Sequence, residues 1–297
     1  MQYRGSHEIV VLSGKGGTGK TSIAASLAAL AKDMAVAADC DVEAANMHLL
    51  LKPDIEQEID FYSGQYAVVR QDLCDLCGLC KRKCRFGAIS IREERCHIDP
   101  VDCEGCGYCA RICPKGAIEM KPVNSGKVFT SQNRLHMPMV HASLHTGRGN
   151  SGKLVAKVKA EAGALAKKHN KPFIIIDGPP GIGCPAISSL SGADLVILVA
   201  EPAASGIHDL RRLTEVVKKL NHKMACVVNK CDINKEKTSE LKDLLNQQHI
   251  LHLADLPFDE TFTRAIMAEK TMAEMPSPIK HTLIKIWKTI QTHLSEH

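Results

Sequence analysis

The pattern of apolar and polar positions near both ends of this chain predicts strands that alternate with helices. The run I-V-V-L at Ile9–Leu12 predicts a buried strand, and Ile23, Leu27 and Leu30 follow it at helical spacing. Further strands are predicted at Met34–Ala38, Phe173–Ile176, Leu195–Ala200 and Ala225–Val228. Further helices are predicted from Asn150, over Ile207–Leu220, over Lys237–Gln247 and over Ile279–Leu294. This order is typical of an α/β fold with a doubly wound, mostly parallel sheet.

The centre of the chain has a different pattern. Pro53–Gly64 is polar and interrupted by proline and glycine, which predicts a linker, and a cysteine-rich segment follows it. The α/β pattern then resumes, with Met137 and Met139 expected in the core. We therefore expect residues 1–64 and 122–297 to form one domain, and residues 65–121 to form an inserted α+β domain.

Composition and charge narrow the class of protein. The 297 residues are 44% apolar and carry a net charge of +5, which is too small for a nucleic-acid footprint. No apolar run approaches the ~18 residues that a membrane-spanning helix needs, so we expect a cytoplasmic protein without an integral membrane segment. The 13 cysteines of a cytoplasmic chain favour metal binding over disulfides.

A glycine-rich loop joins the first predicted strand to the first helix. Its sequence from Gly14 to Thr21, G-K-G-G-T-G-K-T, fits the phosphate-binding pattern G-x-x-x-x-G-K-[ST], with an ordinary glycine-rich turn as the alternative. In such a loop, backbone N–H groups surround a polyphosphate, Lys20 reaches the β- and γ-phosphates, and the Thr21 hydroxyl binds Mg²⁺. The residues expected to bind nucleotide are Gly14, Gly16, Gly17, Thr18, Gly19, Lys20, Thr21 and Ser22.

Eight cysteines repeat one spacing, C-x2-C-x2-C-x3-C, first from Cys74 to Cys84 and then from Cys103 to Cys113. This internal repeat resembles the two-cluster bacterial ferredoxins, in which the fourth cysteine of each run binds the other run's cluster. The expected ligands are Cys74, Cys77, Cys80 and Cys113 for one [4Fe-4S] cluster, and Cys84, Cys103, Cys106 and Cys109 for the other. Zinc is the alternative, although its sites usually use two C-x2-C pairs. Arg85 replaces the proline that usually follows the fourth cysteine.

The loop also resembles the deviant Walker A loop of the MinD, ParA, Mrp and nitrogenase iron protein superfamily, because Lys15 follows its first glycine. In that superfamily the corresponding lysine crosses a dimer interface to the partner's nucleotide, so the resemblance implies a homodimer or a heterodimer with a paralogue. Lys15 could also be a solvated charge. The D-x-D segment at Asp39 and Asp41 resembles switch I, and Asp177-Gly-Pro-Pro-Gly resembles switch II. The resemblance implies that Asp41 positions the attacking water and that Asp177 acts on Mg²⁺, with Lys15, Lys20 and Asp41 as catalytic residues.

The base of the nucleotide is less constrained by the sequence. Asn229-Lys-Cys-Asp resembles the guanine-reading N-K-x-D element of GTPases, but MinD relatives keep the asparagine and bind adenine. The segment D-L-P-F-D, which contains Pro257, is similar to their base-stacking loop. We therefore expect Asn229 and Pro257 to contact ATP, with GTP as the alternative.

Together these motifs predict an iron–sulfur P-loop ATPase. Its ATP binding and hydrolysis would gate electron transfer through a metal–sulfur centre, or the assembly and delivery of such a centre, for a redox or metal-cluster acceptor protein. The alternative is a MinD- or ParA-like positioning ATPase with structural or redox-sensing clusters. The apolar stripe of the C-terminal helix predicts docking on the sheet, or membrane contact as the alternative. Cys96 and the segment His136–His145 are left unassigned, and Cys184 is expected to be a buried thiol.

Overall fold

The structure is a computed structural model that describes residues 5–147 and 149–295. The chain divides into two compact units. The first unit comprises Met1–Ile59, Val128–Ser143 and Ser151–His297, and the second comprises Asp60–Lys127 and Leu144–Asn150. The second unit contains the expected insert, residues 65–121, and extends beyond it at both ends.

The strands are β1 (His7–Ser13), β2 (Ala35–Asp39), β3 (Pro53–Val69), β4 (Ile89–Arg92), β5 (Arg95–Ile98), β6 (Ile118–Asn133), β7 (Pro138–Leu144), β8 (Phe173–Asp177), β9 (Leu195–Ala200), β10 (Lys223–Asn229) and β11 (Leu251–Leu256). The helices are α1 (Lys20–Leu30), α2 (Met47–Leu51), α3 (Leu79–Lys83), α4 (Tyr108–Ile112), α5 (Ser151–Lys168), α6 (Cys184–Leu190), α7 (Ala204–Lys219), α8 (Lys235–Gln247), α9 (Thr261–Met267) and α10 (Pro278–Ser295), with a 3₁₀ helix at Met272–Glu274.

A sheet of nine strands in the order β11-β10-β9-β1-β8-β2-β7-β6-β3 forms the centre of the fold. Each neighbouring pair from β11 to β7 is parallel. The predicted α/β fold with a mostly parallel sheet is confirmed. Parallel strands joined by helical crossovers place the carboxyl ends of β1, β2 and β8 at one edge of the sheet, where ligands of such folds bind.

Burial on both faces explains why the central strands read as continuous apolar runs. In β1, Ile9 and Val11 belong to one cluster with α1 and α10, whereas Val10 and Leu12 alternate to the opposite face. All four side chains are fully buried. The alanines of α1 have no long side chains, so the helix lies close to the sheet directly behind the glycine-rich loop.

The expected linker at Pro53–Gly64 is wrong, because these residues form part of the long strand β3. This strand is at the edge of the sheet, and most of its side chains from Asp54 to Glu58 are exposed. An edge strand tolerates proline at its first position and charged side chains along its length. The polar composition therefore indicated exposure, and not the absence of a strand.

The C-terminal helix α10 docks as predicted. Its stripe consists of Ile279, Leu283, Ile286, Trp287, Ile290 and Leu294, all buried in the cluster that α1 shares. The Trp287 ring meets Phe173 of β8 edge-on, with centroids 5.1 Å apart. Since this apolar face packs against protein, it is not available to a membrane surface. Among residues 5–147 and 149–295, the helices are all too short or too polar to cross a bilayer.

The second unit contains the antiparallel hairpin β4–β5 and the short helices α3 and α4, which pack against each other. In the hairpin Ile89 pairs with Ile98, and Ile91 pairs with Cys96. Each short helix contains the third cysteine of one repeat, Cys80 in α3 and Cys109 in α4. The internal repeat in sequence is therefore also a repeat of structure.

We expect Trp287→Ala to lower the free energy of unfolding of the first unit by about 3–5 kcal/mol, because it leaves a cavity between α10 and β8. Chemical denaturation followed by far-UV circular dichroism measures this loss. Lys288→Ala, an exposed neighbour on the same helix, is the control and should change stability by less than about 0.5 kcal/mol. Equal effects of the two substitutions would contradict the docking of α10.

Candidate functional site

The loop between β1 and α1 contains two glycines, Gly14 and Gly19, that have no room for a side chain. Gly17 and Gly19 have φ angles of 79° and 89°, a left-handed conformation that glycine adopts without strain. A Cβ atom at Gly19 would lie 2.5 Å from Nδ2 of Asn229, and one at Gly14 would overlap the side chain of Asp209. The loop thus packs closely against β10 and α7. Its N–H groups and the N-terminus of α1 form an arrangement that suits an anion.

This loop forms one wall of a pocket of about 500 Å³, a usual size for a small-molecule site. The pocket is lined by Ser13, Lys15–Ser22, Asp41, Asn46, Leu49, Leu50, Pro180, Asn229, Lys230, Pro257–Asp259, Phe262, Thr263 and Ile266. The structure therefore brings together every residue expected to bind nucleotide except Gly14, which lies outside the lining. Phe258 and Ile266 are half-exposed apolar residues of this pocket that the sequence analysis did not single out.

One buried lysine lies among three carboxylates at the floor of this site. Lys20 is 6% exposed and ion-pairs with Asp177, and its Nζ lies 3.9 Å from Oδ2 of Asp41. Asp39 and Asp177 are neighbours in the register of β2 and β8, and both are fully buried. Oδ2 of Asp177 is buried without a hydrogen-bond partner in the described part of the chain. A carboxylate oxygen in this state suits a hard cation such as Mg²⁺.

Asp39 holds the switch I-like loop in place. Its carboxylate accepts backbone hydrogen bonds from Asp41 (3.1 Å), Asn46 (3.1 Å) and Met47 (3.0 Å). Burial and the neighbouring Asp177 raise the pKa of Asp39 to about 7. Burial also raises the pKa of Asp41, against the opposing charge of Lys20. The sequence analysis assigned a role to Asp41 and missed that Asp39 fixes the backbone around it.

Lys15 turns back onto its own chain. It ion-pairs with Glu201 at the end of β9 and donates a hydrogen bond to Oγ of Ser205 (3.2 Å). Lys230 contacts the same glutamate at 3.1 Å and donates to the carbonyl oxygen of Gly17 (3.0 Å). Glu201 thus connects Lys15, which belongs to the glycine-rich loop, with Lys230, which contacts the same loop at Gly17. Nothing in the sequence pattern pointed to Glu201, which follows an ordinary buried strand.

Asn229 and the segment around Pro257 border the pocket from β10 and β11. The amide of Asn229 is buried and donates from Nδ2 to the carbonyl oxygen of Thr18 at 2.8 Å. Oδ1 of Asp232 accepts a hydrogen bond from the backbone N–H of Phe258 at 2.7 Å. Asn229 therefore supports the glycine-rich loop, and Asp232 holds the loop after β11 next to the pocket.

The eight repeated cysteines line two cavities in the second unit. Cys74, Cys77, Cys80 and Cys113 line the first cavity, together with Cys96. Cys84, Cys103, Cys106 and Cys109 line the second, and Cys80 also borders it. The division follows the two ligand sets expected from the sequence. All of these cysteines are free thiols.

The two repeats have the same backbone conformation. The residues before α3 and α4, Gly78 and Gly107, have φ angles of 71° and 72°. The fourth cysteines, Cys84 and Cys113, have φ of −72° and −71° with ψ of 116° and 115°. Arg85 therefore leaves the conformation at Cys84 unchanged. Each run turns its cysteines in the same way around its own short helix.

These cysteines do not converge as ligands of one ion do. In residues 5–147 and 149–295, no group of three or more histidine, cysteine, aspartate or glutamate side chains is arranged to hold a single metal ion. A [4Fe-4S] cluster has a different requirement, because each of its four iron atoms takes one thiolate. Its cysteines surround a cube and need not meet at a point. The two four-cysteine cavities fit that requirement by their ligand sets.

Two further thiols and one histidine, none of them an expected ligand, have distinct environments. Cys96 is 2% exposed. Its pKa is raised to about 12, chiefly by burial and to a smaller extent by the nearby Cys80. Cys184 is exposed at the first position of α6, so the expected burial of this thiol is wrong. His141 stacks on Phe129, with ring centroids 4.8 Å apart, and burial lowers its pKa to about 4. Met137 and Met139 are fully buried, as predicted.

Comparisons with known proteins agree with this geometry. The chain is 33% identical over 286 residues to the uncharacterized protein MJ0578 of Methanocaldococcus jannaschii, which covers 96% of each chain. The fold of the present chain is similar to that of the cell division ATPase MinD of Pyrococcus furiosus. The TM-score is 0.59 and the identity 19%, and the comparison covers 97% of this chain and 99% of that chain. It is also similar to the septum site-determining protein MinD of Pyrococcus horikoshii OT3, solved with Mg-ADP, with a TM-score of 0.58, 19% identity and 96% of each chain covered.

The family assignment rests on the sequence match as well as the fold. Residues 9–272 match the family described as "CbiA: CobQ/CobB/MinD/ParA nucleotide binding domain". This range begins in β1 and includes the glycine-rich loop, Asp41, Asp177 and Asn229. The chain therefore belongs to the CobQ/CobB/MinD/ParA family of nucleotide-binding proteins.

Proposed function

We propose that this protein is an Mg²⁺-dependent ATPase that carries two [4Fe-4S] clusters, and that its nucleotide state controls what the clusters do. One observation carries this proposal. A phosphate-loop pocket and two cavities, each lined by the four cysteines of one expected ligand set and by one further cysteine, are built into one chain. The presence of both kinds of site in one polypeptide favours a function in which they are coupled.

In the nucleotide pocket, the loop N–H groups and Lys20 would bind the phosphates. Thr21 and Asp177 would hold Mg²⁺, for which the unpartnered Oδ2 of Asp177 is the supporting observation. Phosphoryl transfer asks protein groups chiefly for positioning and for charge stabilisation. Asp41, whose backbone N–H donates to the Asp39 carboxylate, would orient the attacking water molecule.

Lys15 supports a dimeric working state. It is 38% exposed, and its ion pair with Glu201 is correspondingly weak. A lysine at this position crosses to the partner's nucleotide in the deviant Walker A superfamily. We propose that it does so here, in a homodimer or in a heterodimer with a paralogue, and that it leaves Glu201 when it does.

The main candidate function is ATP-gated electron transfer through the clusters, or delivery of a metal–sulfur centre to an acceptor protein. The chain runs from Asp41 through α2 into β3, and β3 continues into the second unit. A γ-phosphate that orders the loop at Asp41 would therefore act on the segment that leads to the cysteines. A complete switch of this segment between two states would require about 5.5 kcal/mol of differential nucleotide binding.

The second candidate is a positioning ATPase in which the clusters are structural or sense redox state. The similarity to MinD structures favours it, since those proteins are named for cell division and septum placement. The apolar face of α10 is buried against the rest of the protein, so in this structure the helix does not present that face to a membrane. A positioning role would therefore rely on a protein partner.

We expect Lys20→Ala to weaken binding of Mg-ATP by at least about tenfold, because a charge-assisted hydrogen bond to phosphate contributes about 1.5–3 kcal/mol. Isothermal titration calorimetry with ATP and with GTP measures both affinities, and ATP should bind more tightly. Lys32→Ala, an exposed lysine after α1, is the control and should bind as the wild type does. Unchanged affinity in Lys20→Ala would contradict the assignment of the pocket.

We expect anaerobically reconstituted protein to contain about eight iron atoms and about eight sulfides per chain. Iron and sulfide assays with electron paramagnetic resonance of the reduced protein measure this content. Cys106→Ser should lose iron only from the second cavity, whereas Cys226→Ser, a buried core thiol, should keep all of it. About two zinc ions and no sulfide would instead support the zinc alternative.

We expect reduction of the clusters, or their transfer to an acceptor, to proceed at different rates with ATP and with ADP. Stopped-flow absorbance of the loaded protein with a chemical reductant measures these rates. Lys20→Ala should show one rate under both nucleotides. Equal rates in the wild type would contradict gating and would leave the positioning function as the better candidate.

A further inference from the structure

The hairpin β4–β5 contributes one cross-strand pair to each cysteine cavity. Ile89 and Ile98 line the second cavity, and Ile91 and Cys96 line the first. Three of these four positions are isoleucine, a β-branched apolar residue that is common in strands. Only the first cavity receives a thiol at the fourth position. The two cavities are therefore chemically unequal, although the repeats that build them are alike.

Cys96 lies next to two expected ligands of the first cavity, Cys80 and Cys74, with Cys80 the stronger contact. Its Sγ atom lies 4.0 Å from Sγ of Cys80, and its side chain is 2% exposed. Gln71 fixes the strand at this point, because its Nε2 donates to the carbonyl oxygen of Cys96 at 2.6 Å. The thiol thus has little freedom to turn towards solvent. Its sulfur faces the site where Cys80 would bind iron.

We propose that Cys96 is a reserve ligand of the first cluster, which can take over the iron atom that Cys80 binds. This inference rests on the proposed presence of [4Fe-4S] clusters. In the exchange, Cys96 would give up its thiol proton and bind the iron, while Cys80 would leave the iron and take up that proton. No electron is gained or lost. The hairpin gives the second cavity no such thiol, because its corresponding wall is made of Ile89 and Ile98. The fifth thiol that borders this cavity is Cys80, an expected ligand of the first cluster.

The third cysteines of the two repeats, Cys80 and Cys109, provide a matched comparison. Each variant protein is reconstituted anaerobically with ferrous iron and sulfide, then assayed for iron and sulfide and by electron paramagnetic resonance. Cys80→Ala should keep about eight iron atoms per chain, whereas Cys109→Ala should fall to about seven or about four. The double variant Cys80→Ala/Cys96→Ala should lose iron as Cys109→Ala does.

Two results would overturn the inference. Cys80→Ala could lose iron to the same extent as Cys109→Ala, or the double variant could keep all eight atoms. Neither result bears on whether the wild-type protein carries clusters, which is ruled out if the wild-type protein takes up no iron. The two failures are therefore distinguishable in one set of samples.

A second measurement does not depend on removing a ligand. Cys96→Ala keeps all eight proposed ligands, and iron loss to excess EDTA is followed by absorbance. If Cys96 recaptures iron when the Cys80 bond opens, about half of the iron should leave Cys96→Ala several-fold faster than it leaves the wild type. The other half should leave at an unchanged rate. Equal rates for both proteins would overturn the inference even if Cys80→Ala does not fold.

Discussion

The placement of Lys20 among buried carboxylates is the constraint on which the nucleotide site depends. Parallel pairing sets Asp39 and Asp177 side by side at the ends of β2 and β8, and both are fully buried. Two such carboxylates repel each other and lose their hydration, so a cation or a proton must offset the cost. Lys20 supplies the positive charge, and the raised pKa of Asp39 shows that the compensation is incomplete. A divalent cation or a phosphate arriving here would redistribute these charges.

That arrangement explains why so much of the surrounding chain is fixed. Lys20 must reach the carboxylates from the first turn of α1, which requires the loop before it to be tight and α1 to lie close to the sheet. Asn229 and Lys230 tie the loop to the far end of β10. Asp39 simultaneously fixes the segment around Asp41. Side chains at the ends of β2, β8 and β10 thus surround one loop and its lysine, and a shift in any of these three strands would move the phosphate-binding groups.

The sequence predicted those features in which local pattern and chemistry agree. At Ile9–Leu30 the strand, the glycine-rich loop and the helix follow one another in the order that a phosphate-binding loop requires, and the six-residue stripe of α10 follows helical spacing throughout. β3 was missed because an edge strand needs no apolar alternation. Glu201 and Cys96 were missed for a different reason. Their roles depend on contacts across 186 and 16 residues of chain, to Lys15 and Cys80, which no local motif encodes.

The paired repeats of the second unit share a left-handed backbone position that they fill differently. Leu76 has a φ angle of 60° and occupies the place that Gly105 occupies in the other repeat, at 65°. A leucine in the left-handed region costs roughly 1–2 kcal/mol that glycine avoids. At Gly105 a Cβ atom would overlap the carbonyl oxygen of Gln65. The second repeat therefore excludes every side chain at this position, whereas the first repeat accepts a leucine at the expense of local backbone strain.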